Sequence, residues 1–106
     1  MLAKAKSISA VLALALLSAG PLQAQDELRD MFFKDADVAK AAAEAADAKV
    51  LAPRAWERGM SEYEDAEEAL ERGRNIDYVR DNAADATRFF QEAEEKATLA
   101  KTKFAQ

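Results

Sequence analysis

Alanine and larger apolar residues recur along the last third of this chain at alternating spacings of four and three. These residues are Val79, Ala83, Ala86, Phe90, Ala93, Ala97, Ala100 and Phe104. Positions with this spacing share one side of an α-helix and form a narrow apolar stripe, here called a seam, which leaves water only by packing against another helix. The pattern therefore predicts a long helix in a bundle or coiled coil, and an all-α fold.

Two earlier segments are predicted in the same way. The first seam comprises Phe32, Ala36, Ala39, Ala43, Ala46 and Val50, and the second comprises Trp56, Met60, Tyr63, Ala66 and Leu70. Pro53 cannot continue a helix without losing a hydrogen bond but is favourable as a first helical residue, so it separates helices over about 26–51 and 53–72. Gly73 favours the end of the second helix, and Asn75 or Asp77 favours the start of the third.

These three helices predict an antiparallel three-helix bundle. The alternative is a long helical hairpin in which the first two segments form a single kinked helix. Seams made mostly of alanine bury little apolar area per residue, so the isolated monomer is expected to be marginally stable. Burial against a protein partner or by self-association would then contribute to stability.

Three aromatic residues are candidates for an interaction surface. Phe33 and Phe89 stand next to the seam residues Phe32 and Phe90, and Trp56 is the only tryptophan. In one interpretation they widen the buried stripe, as a three-helix bundle requires. In the other they form an exposed apolar patch that contacts another molecule.

The first 24 residues have the organisation of a secretory signal peptide. Lys4 and Lys6 precede an apolar run over 8–19, and a small-residue ending at Ala24 predicts cleavage between Ala24 and Gln25. The run is shorter than the roughly 20 residues that a spanning helix needs, so no stable membrane insertion is expected after cleavage. We therefore expect residues 25–106 to be a single helical domain in the periplasm.

The charge and composition exclude several classes of function. The whole chain has a net charge of −5, and removal of residues 1–24 takes away two lysines and no acidic residue. Such a balance argues against nucleic acid and anionic lipid as partners. Because cysteine is absent, neither a disulfide nor lipid attachment through a cysteine is available.

No residue pattern indicates catalysis, and we expect neither an enzyme nor a cofactor. Histidine and cysteine are absent, which removes the usual nucleophile pairs and zinc sites. The acidic residues over 62–71 are interpreted as a solvated face, with a calcium or magnesium site as the alternative. Arg72, Arg74 and Arg80 are interpreted as partners of nearby acids, with anion binding as the alternative. Tyr63 and Trp56 are interpreted as core rather than as the lining of a ligand pocket.

The chain also resembles a known group of proteins over most of residues 25–106. The likeness is carried by Leu51-Ala52-Pro53, Trp56, Gly59-Met60, Glu62-Tyr63, Ala66-Glu67, 70–76, Val79-Arg80, Asp85-Ala86, Phe89-Phe90, Glu92-Ala93 and Leu99-Ala100-Lys101. In these residues it is similar to the DUF4398-like family of alanine-rich helical envelope proteins. The resemblance implies export and a place at the cell envelope, where some members are lipoproteins or are joined to an OmpA-like peptidoglycan-binding domain.

The chain departs from that family in two respects. It lacks the cysteine that lipoproteins acylate, and it ends at Gln106 where longer relatives continue with more helix. A short paralogue or a truncated form is therefore expected. The leading hypothesis is a non-enzymatic interaction or structural module of the cell envelope. The second is a periplasmic carrier or chaperone-like binder of an apolar ligand or an unfolded chain.

Overall fold

A computed structural model describes residues 26–105, which are helical except for short turns and contain no strand. Helix α1 covers the described residues 26–45, α2 is Ala48–Leu51, α3 is Pro53–Glu71 and α4 is Ile76–Ala105. The chain divides into two units between Met31 and Phe32. Of the first, the described residues 26–31 are helical. The predicted signal peptide and its cleavage site at Ala24 and Gln25 lie outside the described residues.

Helix α3 runs antiparallel to both α1 and α4. The Tyr63 hydroxyl donates a hydrogen bond to Asp37 of α1, and the Trp56 ring of α3 packs on Phe90 of α4. On the third side, Lys101 of α4 forms an ion pair with Asp47 at the end of α1. The second unit is therefore a three-helix bundle. The hairpin alternative is wrong, because α3 folds back along α1 rather than continuing it.

The first predicted helix is interrupted near its end, which corrects the predicted seam. Residues 46 and 47 form a turn, and Asp47 has a left-handed backbone with φ of 62°. The break rotates the residues that follow, so Ala48 is buried while Val50, the predicted seam residue, is 78% exposed. The continuous heptad did not reveal the break, because alanine and aspartate carry no strong helix-breaking signal there.

The buried faces of α1 and α3 differ from the predicted seams and are wider than them. Phe33 rather than Phe32 is fully buried in α1, and Phe32 is half-buried. In α3, Met60 and Leu70 are half-buried, and the buried residues are Ala55, Trp56, Gly59, Tyr63, Ala66 and Ala69. A helix packed against two neighbours buries a broader face than a two-helix seam does, which explains these differences.

The reversal between α3 and α4 follows the predicted capping residues. Gly73 has φ of 68°, and the Gly73 and Arg74 amides donate to the carbonyls of Leu70 and Ala69 at 3.1 and 2.9 Å. This pair of bonds is the Schellman arrangement that closes a helix C-terminus. The Asn75 side chain then accepts a hydrogen bond from the Asp77 amide at 2.8 Å and caps α4.

Replacing Gly73 with alanine is expected to destabilise the bundle by about 1–2 kcal/mol through the backbone alone. No atom lies within 4 Å of the position that a Cβ would occupy, so the cost is that of holding an L-residue at positive φ. Gly73→Asn is the matched control, since asparagine tolerates this conformation better. Chemical denaturation measures both variants, and equal losses for alanine and asparagine would contradict the backbone explanation.

The α4 seam is confirmed over most of its length and then leaves the bundle. Its first six residues are buried, from Val79 to Ala97, whereas Ala100 is half-buried and Phe104 is 82% exposed. The reason is that α4 is longer than α3 at this end. Trp56 of α3 contacts Phe90 of α4, and from this contact α3 extends only about 5 Å further, to its first residue, Pro53. Phe104 lies about 21 Å beyond Phe90 along α4, so α3 does not cover it.

Candidate interaction surface

Four aromatic side chains form a cluster at the centre of the bundle. The ring of Tyr63 lies 5.2 Å from Phe33 and 6.3 Å from Phe90, and Trp56 lies 5.2 Å from Phe90. The centroid distances and inclined planes are those of favourable edge contacts. The cluster joins all three long helices and fills the space between the alanine seams.

Two of the three candidate residues for an interaction surface belong to this cluster. Phe33 has no exposed surface and Trp56 is 8% exposed, so both side chains are part of the core. Phe89 alone is half-buried, on the flank of α4 that faces α3. An interaction surface that uses these three residues would therefore be limited to Phe89 and the edge of Trp56.

Phe89 is covered by two arginines. The Arg58 guanidinium of α3 lies 4.5 Å from the Phe89 ring centroid, and that of Arg88 lies 5.7 Å from it. Arg88 also forms an ion pair with Asp85 at 2.9 Å. Through these cation–π contacts, the Phe89 ring packs at the boundary between α3 and α4.

The same boundary brings acidic groups together. Partial burial of Glu62 raises the pKa of its carboxyl above the ordinary value. The charges of Asp85 on α4 and Asp65 on α3 raise that pKa further, while Arg58 lowers it. The folded bundle thus holds a proton on Glu62 more tightly than the unfolded chain does.

Glu62→Gln is expected to stabilise the bundle at neutral pH by a few tenths of a kcal/mol to about 1 kcal/mol, the range for partly exposed charge pairs. Because the folded pKa is raised, the stability that protonated Glu62 contributes is present below the unfolded pKa and is lost as pH rises through the folded pKa. The variant should therefore exceed the wild type in stability at pH 7 and match it near pH 3.5.

Thermal melts at both pH values measure this difference, with Glu95→Gln on exposed α4 as the control. The control is expected to change stability by less than about 0.5 kcal/mol. An advantage of Glu62→Gln that persisted unchanged at the lower pH would contradict the electrostatic cause.

The charged groups singled out in the sequence lie on the surface. Arg72 pairs with Glu68 and Arg80 with Asp77, both at 2.9 Å, and the Arg74 guanidinium stacks on Tyr78. Over residues 26–105, no group of three or more acidic side chains converges on a position for a metal ion. These contacts favour the interpretation of a solvated, ion-paired face.

Exposed apolar residues lie at the end of the bundle where α2 meets α4. We call residues 98–105 the α4 tail; Phe104 in it is 82% exposed, and Val50 of α2 is 78% exposed. Residues 96–104 contain three lysines and no acidic residue, in contrast to the acidic remainder of the chain. Lys101 fixes this end through its 3.0 Å ion pair with Asp47. This end of the bundle therefore combines exposed apolar side chains with lysines, of which Lys101 is paired with Asp47.

A groove opens beside α3 near the same end. It has a volume of about 430 Å³ and is lined by Lys49, Trp56, Glu57, Met60, Ser61 and Glu64. The edge of Trp56 and the half-buried Met60 supply its apolar floor, and Glu57 and Glu64 supply acidic rims. We call this the Trp56 groove.

Phe104 is predicted as a seam residue, but its exposure is not predicted. The helix lengths could have indicated this exposure, because the third seam, from Val79 to Phe104, is longer than the predicted second helix over 53–72. The Trp56 groove was also missed, because it depends on the turn at Asp47, which places Lys49 beside Trp56.

In comparisons with known proteins, no family model, no curated protein and no solved structure matches this chain. Among the residues that the structure describes, no helix combines the length and apolar character needed to cross a bilayer.

Proposed function

We propose that this chain is a non-enzymatic interaction or structural module of the cell envelope, which acts in the periplasm after residues 1–24 have been removed. The proposed address depends on the signal-peptide pattern of the leader. The resemblance to the DUF4398-like family, itself a proposal, agrees with it.

The observation that carries the proposed role is the course of the α4 seam. Six of its residues are buried within the bundle, and the register then continues to the half-buried Ala100 and the exposed Phe104. A seam in register has its apolar side chains on one helix face, and that face is stabilised when another surface covers it. The α4 tail therefore supports a role in packing against another molecule.

The packed interior favours this role over a carrier. Phe33 and Phe90 are fully buried, and the aromatic cluster occupies the space in which an apolar ligand would have to lie. A carrier would have to separate the helices and displace these rings. Adding a fatty acid is thus expected to leave the melting temperature unchanged, whereas a carrier would gain stability in proportion to ligand binding.

Cell fractionation tests the proposed address. Intact mass measurement of protein released by osmotic shock is expected to show a chain that begins at Gln25. The double variant Leu14→Arg/Leu16→Arg interrupts the apolar run of the leader and is expected to remain in the cytosol uncleaved. Wild-type protein found in the cytosol with residues 1–24 intact would overturn the proposal.

A further inference from the structure

The α4 tail carries a projecting aromatic side chain, Phe104, which is here called the knob. Phe104 projects from it with 82% of its surface exposed, and Lys101 and Lys103 stand three residues and one residue before it. A large ring with neighbouring cations recognises an apolar pocket with an acidic rim, because ring burial and charge pairing then add.

The Trp56 groove has the complementary properties. Its floor is formed by an aromatic edge and the flexible Met60, which adapts its shape to an inserted ring. Glu57 and Glu64 line it on the exposed side of α3, and Lys49 contributes the single positive charge of the lining. The groove therefore accepts an apolar group that arrives with positive charge.

Knob and groove lie at the same end of one molecule. Lys49, which lines the groove, is two residues after Asp47, which forms the ion pair with Lys101 at the base of the α4 tail. Two copies placed end to end about a two-fold axis can therefore exchange knobs, each Phe104 entering the other copy's groove. Such an exchange closes on itself, as symmetric dimers do.

We propose that the α4 tail docks into the Trp56 groove of a second copy of this chain, with Phe104 on Trp56 and Met60 and with Lys103 facing Glu57 and Glu64. This inference rests on the proposed function and names its partner. The acidic rim beside the basic tail favours a second copy over an anionic lipid surface, which the same rim would repel.

Sedimentation velocity of the mature protein, recovered from the periplasm, tests this dimer over a range of micromolar concentrations. The wild type is expected to sediment as a concentration-dependent dimer that weakens at high salt. Phe104→Ser should weaken dimerisation at least about tenfold, as the loss of a central anchor does. Leu99→Ser is the matched control, because Leu99 is 61% exposed on the same helix but about 140° around it from Phe104.

A charge exchange distinguishes this contact from a non-specific one. Lys103→Glu and Glu64→Lys should each weaken the dimer several-fold, and the double variant should recover most of the loss. A dimer that Phe104→Ser leaves intact, or a wild type that stays monomeric, would overturn the inference. Binding of the monomer to phosphatidylglycerol vesicles through Phe104 would overturn it in favour of lipid.

Failure of the dimer is distinguishable from failure of the proposed function. A monomer that resides in the periplasm and contacts another envelope protein through the α4 tail would overturn the dimer alone. A cytosolic protein that retains its leader would overturn the proposed function.

Discussion

Replacing Phe90 with alanine is expected to lower the free energy of unfolding by about 3–5 kcal/mol, the cost of removing a fully buried aromatic ring. Phe90 has no exposed surface and contacts Trp56 and Tyr63 within the aromatic cluster. A small bundle with alanine seams has little stability to spare, so the variant should unfold at a much lower temperature and denaturant concentration than the wild type.

Phe89→Ala is the matched control, since it removes the same ring one position earlier. Phe89 is half-buried and held by the Arg58 and Arg88 guanidinium groups. Its loss is expected to cost only about 1–2 kcal/mol from partial burial and cation–π contact. Chemical denaturation measures both, and equal costs for Phe89 and Phe90 would contradict the packing described here.

Gly59→Ala is expected to destabilise the bundle by about 1–3 kcal/mol, although alanine is the better helix former by about 1 kcal/mol. A Cβ at position 59 would lie 2.6 and 2.7 Å from two ring carbons of Phe90, which is closer than such atoms approach. The ring is fully buried and contacts Trp56 and Tyr63, so a shift away from position 59 would disturb these neighbours. The clash with the Phe90 ring should therefore outweigh the higher helix propensity of alanine at position 59.

A double-mutant cycle isolates this contact. In a Phe90→Leu background, the narrower side chain should relieve the clash, so Gly59→Ala should become neutral or stabilising. Denaturation of the four proteins gives the coupling energy. If Gly59→Ala cost the same in both backgrounds, α3 and α4 would not approach each other at Gly59 and Phe90.

The comparison of Gly59 with Gly73 shows what the sequence predicts and what it leaves undetermined. Gly73 was predictable as a cap, because its effect is local and depends on backbone conformation. From the sequence, Gly59 is either an unfavourable residue within a helix or a point of close approach by a neighbouring backbone. The group that approaches Gly59 is the Phe90 side chain, which lies 31 residues away in sequence and is placed there by the packing of the helices.

The same distinction holds along α1. The helix end predicted near residue 51 is confirmed, since α2 ends at Leu51 and Pro53 determines this end locally. The change from Phe32 to Phe33 in the core, and the exposure of Val50, depend on the third helix and on the turn at Asp47. Periodicity thus predicts which helices form, but not how far around each helix burial extends.

The candidate surface was the least predictable part of the molecule. Phe33 and Trp56 lie in the core, whereas Phe104, at the end of the most regular seam, is 82% exposed. Regular spacing indicates that a residue shares a face with its neighbours. It does not reveal whether another helix of the same chain is long enough to cover that face.

Site-specific photo-crosslinking in living cells, with the crosslinking residue placed at position 104, tests whether the α4 tail contacts another molecule. Discrete adducts are expected from position 104, among them a crosslinked pair of this chain. A crosslinking residue at position 81 serves as the control, since Asp81 is exposed on α4 far from the tail, and it should give none. Equal labelling from positions 104 and 81, or none from either, would contradict the claim that the α4 tail is an interaction surface.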